Sequence, residues 1–136
     1  MKSARFLLCL LVAFALAIPV VAQEGYPLNG TWSGDYGVSA KEADRTQTTL
    51  ILSWDGKAVQ GIVDPGPDSA KIKVATLDSS KNWTVHLEYD LKDKSGKLTP
   101  FIVDGKLQNP ASRKNRMVVG TYTHGTAKGD FKIKMD

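Results

Sequence analysis

The sequence predicts an all-β domain, an eight-stranded antiparallel barrel of up-and-down (meander) topology, and three observations carry the prediction. Between residues 29 and 136, apolar and polar side chains alternate with a period of two in one short segment after another. That spacing belongs to a sheet with one dry and one wet face. Turn-forming clusters recur at short intervals, so consecutive strands become antiparallel neighbours. No segment carries the 3.6-residue apolar stripe of a helix. Eight such strands close into a barrel whose interior holds side chains or one small ligand. A two-sheet β-sandwich is the alternative that alternation by itself leaves open.

The first 22 residues read as a secretory signal. Lys2 and Arg5 form a positive n-region, Phe6 to Val21 an apolar stretch, and Val20-Val21-Ala22 a peptidase site. Cleavage after Ala22 leaves Gln23 at the start, a short lead over 23–28, and one domain over 29–136. An uncleaved anchor is disfavoured by Pro19, the V-x-A site and the lack of a basic stop-transfer segment. Cys9 lies inside the apolar run rather than at its end, so no cut exposes it for acylation. The expected destination is periplasmic or extracellular. Removing the signal lowers Lys+Arg from 18 to 16 against 14 Asp+Glu, a formal charge of +2. That balance, with no concentrated basic face, argues against nucleic acid as a partner. The mature chain has no cysteine; an exported domain held by its core alone favours a bacterial envelope over a disulfide-dependent secretion. The sequons Asn29-Gly30-Thr31 and Asn82-Trp83-Thr84 matter only in a eukaryotic source.

Eight strand segments follow: about 29–36, 46–54, 57–63, 70–77, 83–92, 97–108, 116–123 and 130–135. Their separators have turn chemistry. Asp55-Gly56 is a hairpin dipeptide, and Asp64-Pro65-Gly66-Pro67-Asp68 is a stiff corner in which two prolines fix φ. Runs 78–82, 93–96, 109–112 and 125–129 complete the set. Trp83, Val85, Leu87, Tyr89 and Leu91 share one face opposite His86, Glu88 and Asp90; Ile72 and Val74 oppose Lys71 and Lys73; Phe131, Ile133 and Met135 oppose Lys132 and Lys134. Pro100 implies a bulge or an unpaired edge position at the start of the sixth segment. The polar stretch 37–45 is the longest interruption; Ser39 and Glu42 have the spacing to cap one helical turn there.

Chemistry is harder to find. The mature chain lacks a cysteine nucleophile, a Gly-x-Ser-x-Gly elbow and a phosphate loop opening a helix. His86 and Glu88 share a strand face, but two ligands do not make a metal site. Glu88 and Asp90 project to solvent with no cleft to raise either pKa. The expectation is a non-enzyme with neither cofactor nor metal. A membrane barrel is disfavoured as well, because segments such as 57–63 and 130–135 fall short of the 9–11 residues a tilted strand needs.

The opening Leu28-Asn29-Gly30-Thr31-Trp32 resembles the Gly-x-Trp first strand of lipocalin and avidin-like (calycin) barrels. Gly61-Ile62-Val63, Pro65-Gly66, Gly120-Thr121-Tyr122 and Gly129-Asp130-Phe131-Lys132-Ile133 resemble motifs of uncharacterised exported bacterial domains of that form. The resemblance spans nearly the whole mature chain through short motifs and implies a fold rather than an activity. The lipocalin C-terminal helix, its arginine packed on the first-strand tryptophan, and the avidin biotin-binding residues have no counterparts, so ligand identity does not carry over.

The functional expectation is therefore a soluble, non-catalytic, monomeric binder of a small, mainly apolar ligand. Trp32, Trp54, Trp83, Tyr89 and Tyr122 are the candidate ligand-binding residues, with the tyrosine hydroxyls as polar handles and the 37–45 loop as gate. The alternative is a filled-core interaction module of the envelope that engages a protein or polysaccharide through its loops, with Arg113, Lys114 and Arg116 as the candidate surface.

Overall fold

The computed structural model describes residues 26–136. The leader over 1–22, Cys9, the cut after Ala22 and the first residues of the lead lie outside them. Nine antiparallel strands form a single sheet: β1 (Gly30–Gly37), β2 (Arg45–Trp54), β3 (Val59–Val63), β4 (Ala70–Lys71), β5 (Val74–Asp78), β6 (Thr84–Lys92), β7 (Leu98–Gln108), β8 (Met117–His124) and β9 (Ala127–Met135). Their order is β4-β3-β2-β1-β9-β8-β7-β6-β5, a meander whose first and last strands are paired. One curled sheet, not a two-sheet sandwich, is the architecture.

The ninth strand arises because the expected 70–77 segment breaks in two. The Ile72 amide donates to the Gly61 carbonyl on β3 (3.0 Å), and the Lys73 amide donates to the Glu88 carbonyl on β6 (2.9 Å). Residues 70–78 thus bridge the two outer flanks of the sheet and bring it round into a barrel. Ala70 and Ile72 pack on the core, and after the bridge so do Ala75 and Leu77. The inward phase therefore slips by one residue near Lys73–Val74, as at a bulge, and Val74 leaves the face it was expected to share with Ile72.

Elsewhere the alternation holds. Trp32, Leu50, Leu52, Val85, Leu87, Tyr89, Phe101, Val103, Phe131 and Ile133 are buried in one cluster, while Lys132 and Lys134 are exposed on the outer face. An apolar inside and a charged outside is the reverse of a lipid-facing barrel. Among the described residues no helix is long and apolar enough to cross a membrane.

Two sequence details acquire physical reasons. Asp93 and Lys97 are joined by a backbone hydrogen bond at the β6–β7 turn, so alternation places Pro100 and its partner Asp90 in a non-bonded pair. The proline nitrogen then faces the β8 side, where pairing starts only at Phe101. The expected turn over 125–129 is shorter than anticipated: His124 pairs with Ala127, leaving two residues at the tip. Gly129 belongs to β9, where a Cβ would lie 1.9 Å from the Gly37 carbonyl oxygen and 3.0 Å from the Tyr122 ring. Glycine there serves close approach rather than turning.

Candidate functional site

The barrel has two unlike ends. At one, Trp32 is fully buried and its indole N–H donates to the Leu28 carbonyl (2.9 Å), while Tyr26 stacks on Trp54 at 4.2 Å between ring centroids. Trp83 packs against the same core with φ at +59°, just before β6 begins. The lead and three tryptophans thus close this end. Arg116 helps: its guanidinium donates to the Pro110 (2.7 Å) and Pro27 (3.4 Å) carbonyls. Its role is to tie the lead to the 110–116 turn, whereas Arg113 and Lys114 are exposed.

At the other end lies an aromatic cluster. Phe101 stacks on Tyr122 (4.9 Å) and Tyr89 (5.0 Å), and Tyr36 meets Phe101 edge-on (4.7 Å). The five aromatic residues expected to share one ligand site are therefore split, with Trp32, Trp54 and Trp83 at the closed end and Tyr89 and Tyr122 near the opposite mouth. Close packing suits these rings to a filled core.

Open space begins above that cluster. A cleft of about 450 Å³ is lined by Tyr36, the Asp64–Ala70 corner and the rim of the β6–β7 hairpin, including Asp90, Leu91, Lys92 and Leu98. Leu98 is 62 % exposed, an apolar side chain with no core role. The hairpin wall is stiff: the Asp93 carboxylate accepts from the Ser95 hydroxyl, the Ser95 and Lys97 amides and the Thr99 hydroxyl. Those donors, Ser95 first, hold its carboxyl down to about 2.

Asp64 fixes the opposite wall. It adopts φ +51°, its amide donates to the Thr49 carbonyl (2.7 Å), and its Oδ1 accepts from the Thr48 hydroxyl and the Thr49 amide, both at 2.9 Å. Within the aromatic cluster, the Tyr89 hydroxyl is buried without a hydrogen-bond partner. Burial raises its pKa, and Tyr36 and Asp64 oppose its ionisation further. A buried hydroxyl left unpaired is costly and calls for an explanation.

The 37–45 segment does not form the cleft. Arg45 donates to both Asp130 oxygens (2.7 and 2.9 Å) and to Asp35 (2.6 Å), which raises its pKa, Asp130 contributing most. Its other contacts, to the Gly37 and Ser39 carbonyls, clamp the segment to β1. The expected helical turn appears as a single 3-10 turn, Glu42–Asp44, without a side-chain N-cap; Ser39 Oγ instead donates to Asp44 (2.6 Å).

On the outer wall His86 lies between Asp104 (2.5 Å) and Glu88 (3.4 Å). Its pKa is raised, first by the hydrogen bond to Asp104. Because the folded value lies above the unfolded one, the stabilisation is complete below pH 6.5 and is lost as pH rises through the folded value. For a pair this exposed the size is a few tenths to about 1 kcal/mol. Denaturation midpoints measured across pH 5.5 to 8.5 are expected to fall in the wild type and to flatten in Asp104→Asn. Among the described residues no three His, Cys, Asp or Glu side chains converge as a metal site would require.

The cleft residues Tyr36, Ser69 and Leu98 carry no site pattern in the sequence, and Asp64 and Asp68 stand out there only as the ends of a corner. One signal was present: Leu98 is apolar yet out of phase with Phe101, Val103 and Leu107 on its strand. Compared with protein-family models, curated proteins and solved structures, the chain matches none of them.

Proposed function

We propose that this chain is an exported, non-catalytic, calycin-like binding protein that takes a small ligand at the open mouth of a filled barrel. The observation that carries the reading is the 450 Å³ cleft between Tyr36, the 64–70 corner and the β6–β7 rim, edged by the exposed Leu98. Its volume lies within the range of small-molecule sites, and its walls mix the apolar Tyr36, Leu91 and Leu98 with the charged Asp64, Asp68, Asp90 and Lys92. Of the inward aromatics only Tyr36 lines the cleft.

Native mass spectrometry of the protein purified gently from its own source tests this. The expected result is a reproducible extra mass that disappears on denaturation and is absent from Ser69→Trp, which fills the cleft from its rim. A bare chain mass, with no uptake from extracts of that source, overturns the reading.

A second reading is favoured by a separate observation. Lys106, Arg113, Lys114, Lys132 and Lys134 are exposed around the outer face of β7, β8 and β9, and among the described residues none forms an ion pair. Such a face suits docking to an acidic protein or polysaccharide. Retention of the extra mass in Ser69→Trp, with loss in a Lys132→Glu, Lys134→Glu variant, would favour it.

A further inference from the structure

The geometry points to an acidic polysaccharide as the partner of the outer wall of β7, β8 and β9, its chain lying across the three strands. This deepens the second reading above and rests on it. Register gathers the cations. Lys106 on β7 pairs with Val119 on β8, and Val119 with Lys132 on β9, so the two lysines share one outward row about 10 Å apart. Lys134 follows about 7 Å from Lys132 along β9, in the next row with Gln108 and Met117. Arg113 and Lys114 lie in the 3-10 turn before β8. The Met135 amide donates to the Arg116 carbonyl (3.1 Å), which holds that turn against the end of β9. The carboxylates bordering this patch are occupied. Asp35 and Asp130 share Arg45, Asp104 meets His86 (2.5 Å), and Asp136 accepts from the Ser33 hydroxyl (3.2 Å). Five exposed cations thus stand together as a surplus of positive charge.

The surroundings of the cations select a sugar polymer among polyanions. Four of the five are lysines, flexible point charges without the planar fork that arginine offers to one fixed carboxylate. Gln108 and Thr121 are exposed on either side of the lysine row, and their amide and hydroxyl groups can donate to and accept from sugar hydroxyls. Among the described residues no aromatic side chain projects outward from this wall, and the exposed large hydrophobics, Val38, Ile51, Ile62 and Leu98, lie off the patch. The apolar, aromatic centre on which protein partners dock is therefore missing, and lysine is depleted in such centres. The wall is also convex, as the outside of a barrel must be. Lys106 and Lys132 diverge around it, so a flat bilayer meets one at a time, whereas an extended chain follows the curve. A neutral polysaccharide would leave the charge surplus unanswered.

The test uses dextrans of one length, neutral, carboxymethylated and sulfated, with polyglutamate and phosphatidylcholine vesicles carrying phosphatidylglycerol as the other arms. Each is titrated at fixed low ionic strength into the protein purified as for mass spectrometry. Calorimetry reads the affinity, and amide chemical shifts of Lys106, Val119 and Lys132 read the location. Both anionic dextrans are expected to bind at the wall, and neutral dextran is not. Lys132→Gln with Lys134→Gln is expected to weaken them about 10-fold. Lys94→Gln with Lys97→Gln, an equal loss of charge at the opposite mouth, is expected to leave them unchanged. Gln108→Leu with Thr121→Val is expected to weaken the anionic dextrans about fivefold and to leave polyglutamate as it was. If polyglutamate or the vesicles bind the wall as tightly as the anionic dextrans, or if the Gln108 and Thr121 changes weaken every polyanion alike or none, the sugar inference is overturned and the wall remains a docking face. If neutral dextran binds equally, if the mouth variant loses as much as the wall variant, or if no polyanion shifts the wall residues, the second reading falls and the inference with it.

Discussion

Phe101→Ala is expected to lower unfolding stability by about 3–5 kcal/mol, the range for deleting a fully buried aromatic ring. Phe101 is 0 % exposed and is the ring through which the mouth cluster is connected. Tyr36, Tyr89, Tyr122 and His124 have ring centroids 4.7, 5.0, 4.9 and 5.4 Å from it, and Phe131 follows at 6.3 Å. Its neighbours project from four strands held in fixed register, so they have little freedom to collapse into the space it leaves. A domain of this size has only about 5–15 kcal/mol in total, so the variant should sit near the edge of folding. Guanidinium melts at 25 °C check this through the midpoint at constant slope. A loss below about 1.5 kcal/mol would mean that the cluster repacks and that Phe101 is not its hub.

Gly34→Ala is expected to be at least as damaging, for a different reason. A Cβ at residue 34 would fall 1.9 Å from the Lys132 carbonyl oxygen and 2.7 Å from the Ile133 Cα. Both obstacles are backbone of β9, which β1 pairs with across this point, so no rotamer change relieves the clash. Relief requires parting the strands. Ordinary overpacking costs about 1–3 kcal/mol; with backbone as the obstacle the cost is expected to reach or exceed the top of that range. Solubility and the dispersion of the amide spectrum provide the readout. A well-folded variant with an unchanged melt would mean that β1 and β9 lie farther apart than described.

What was legible in the sequence is what depends on nearest neighbours along the chain. The period-two pattern in β6 and β9 gave strand type and inward face, because each residue's side is set by its own parity. Pro100 reported its own position, since a residue without an N–H must stand where no donor is needed. The slip at Lys73–Val74 was not legible: Ile72-Lys73-Val74 continues the alternation perfectly, and only the demand to switch from β3 to β6 breaks it. Gly129 misled in the opposite sense, because glycine that admits a neighbouring backbone and glycine that makes a turn look alike in one dimension. The cleft joins residues 64–70 to residues 90–98 and Tyr36, and no local pattern records that meeting. Asp64 announced a corner, not a charge facing a cavity.

The pairing of β1 with β9 also bears on how fast the molecule can be made. Trp32 meets Met135 in that ladder, about a hundred residues away along the chain, whereas β6, β7 and β8 need only adjacent hairpins. Long loops must be closed before such distant contacts return any free energy, and folding slows as mean contact separation rises. The β6–β7–β8 hairpins are thus placed to form early, and the ring to close last. Until it does, the inner edges of β1 and β9 stand unpaired and open to other strands. The period of greatest exposure to misassociation is the interval before those two edges meet.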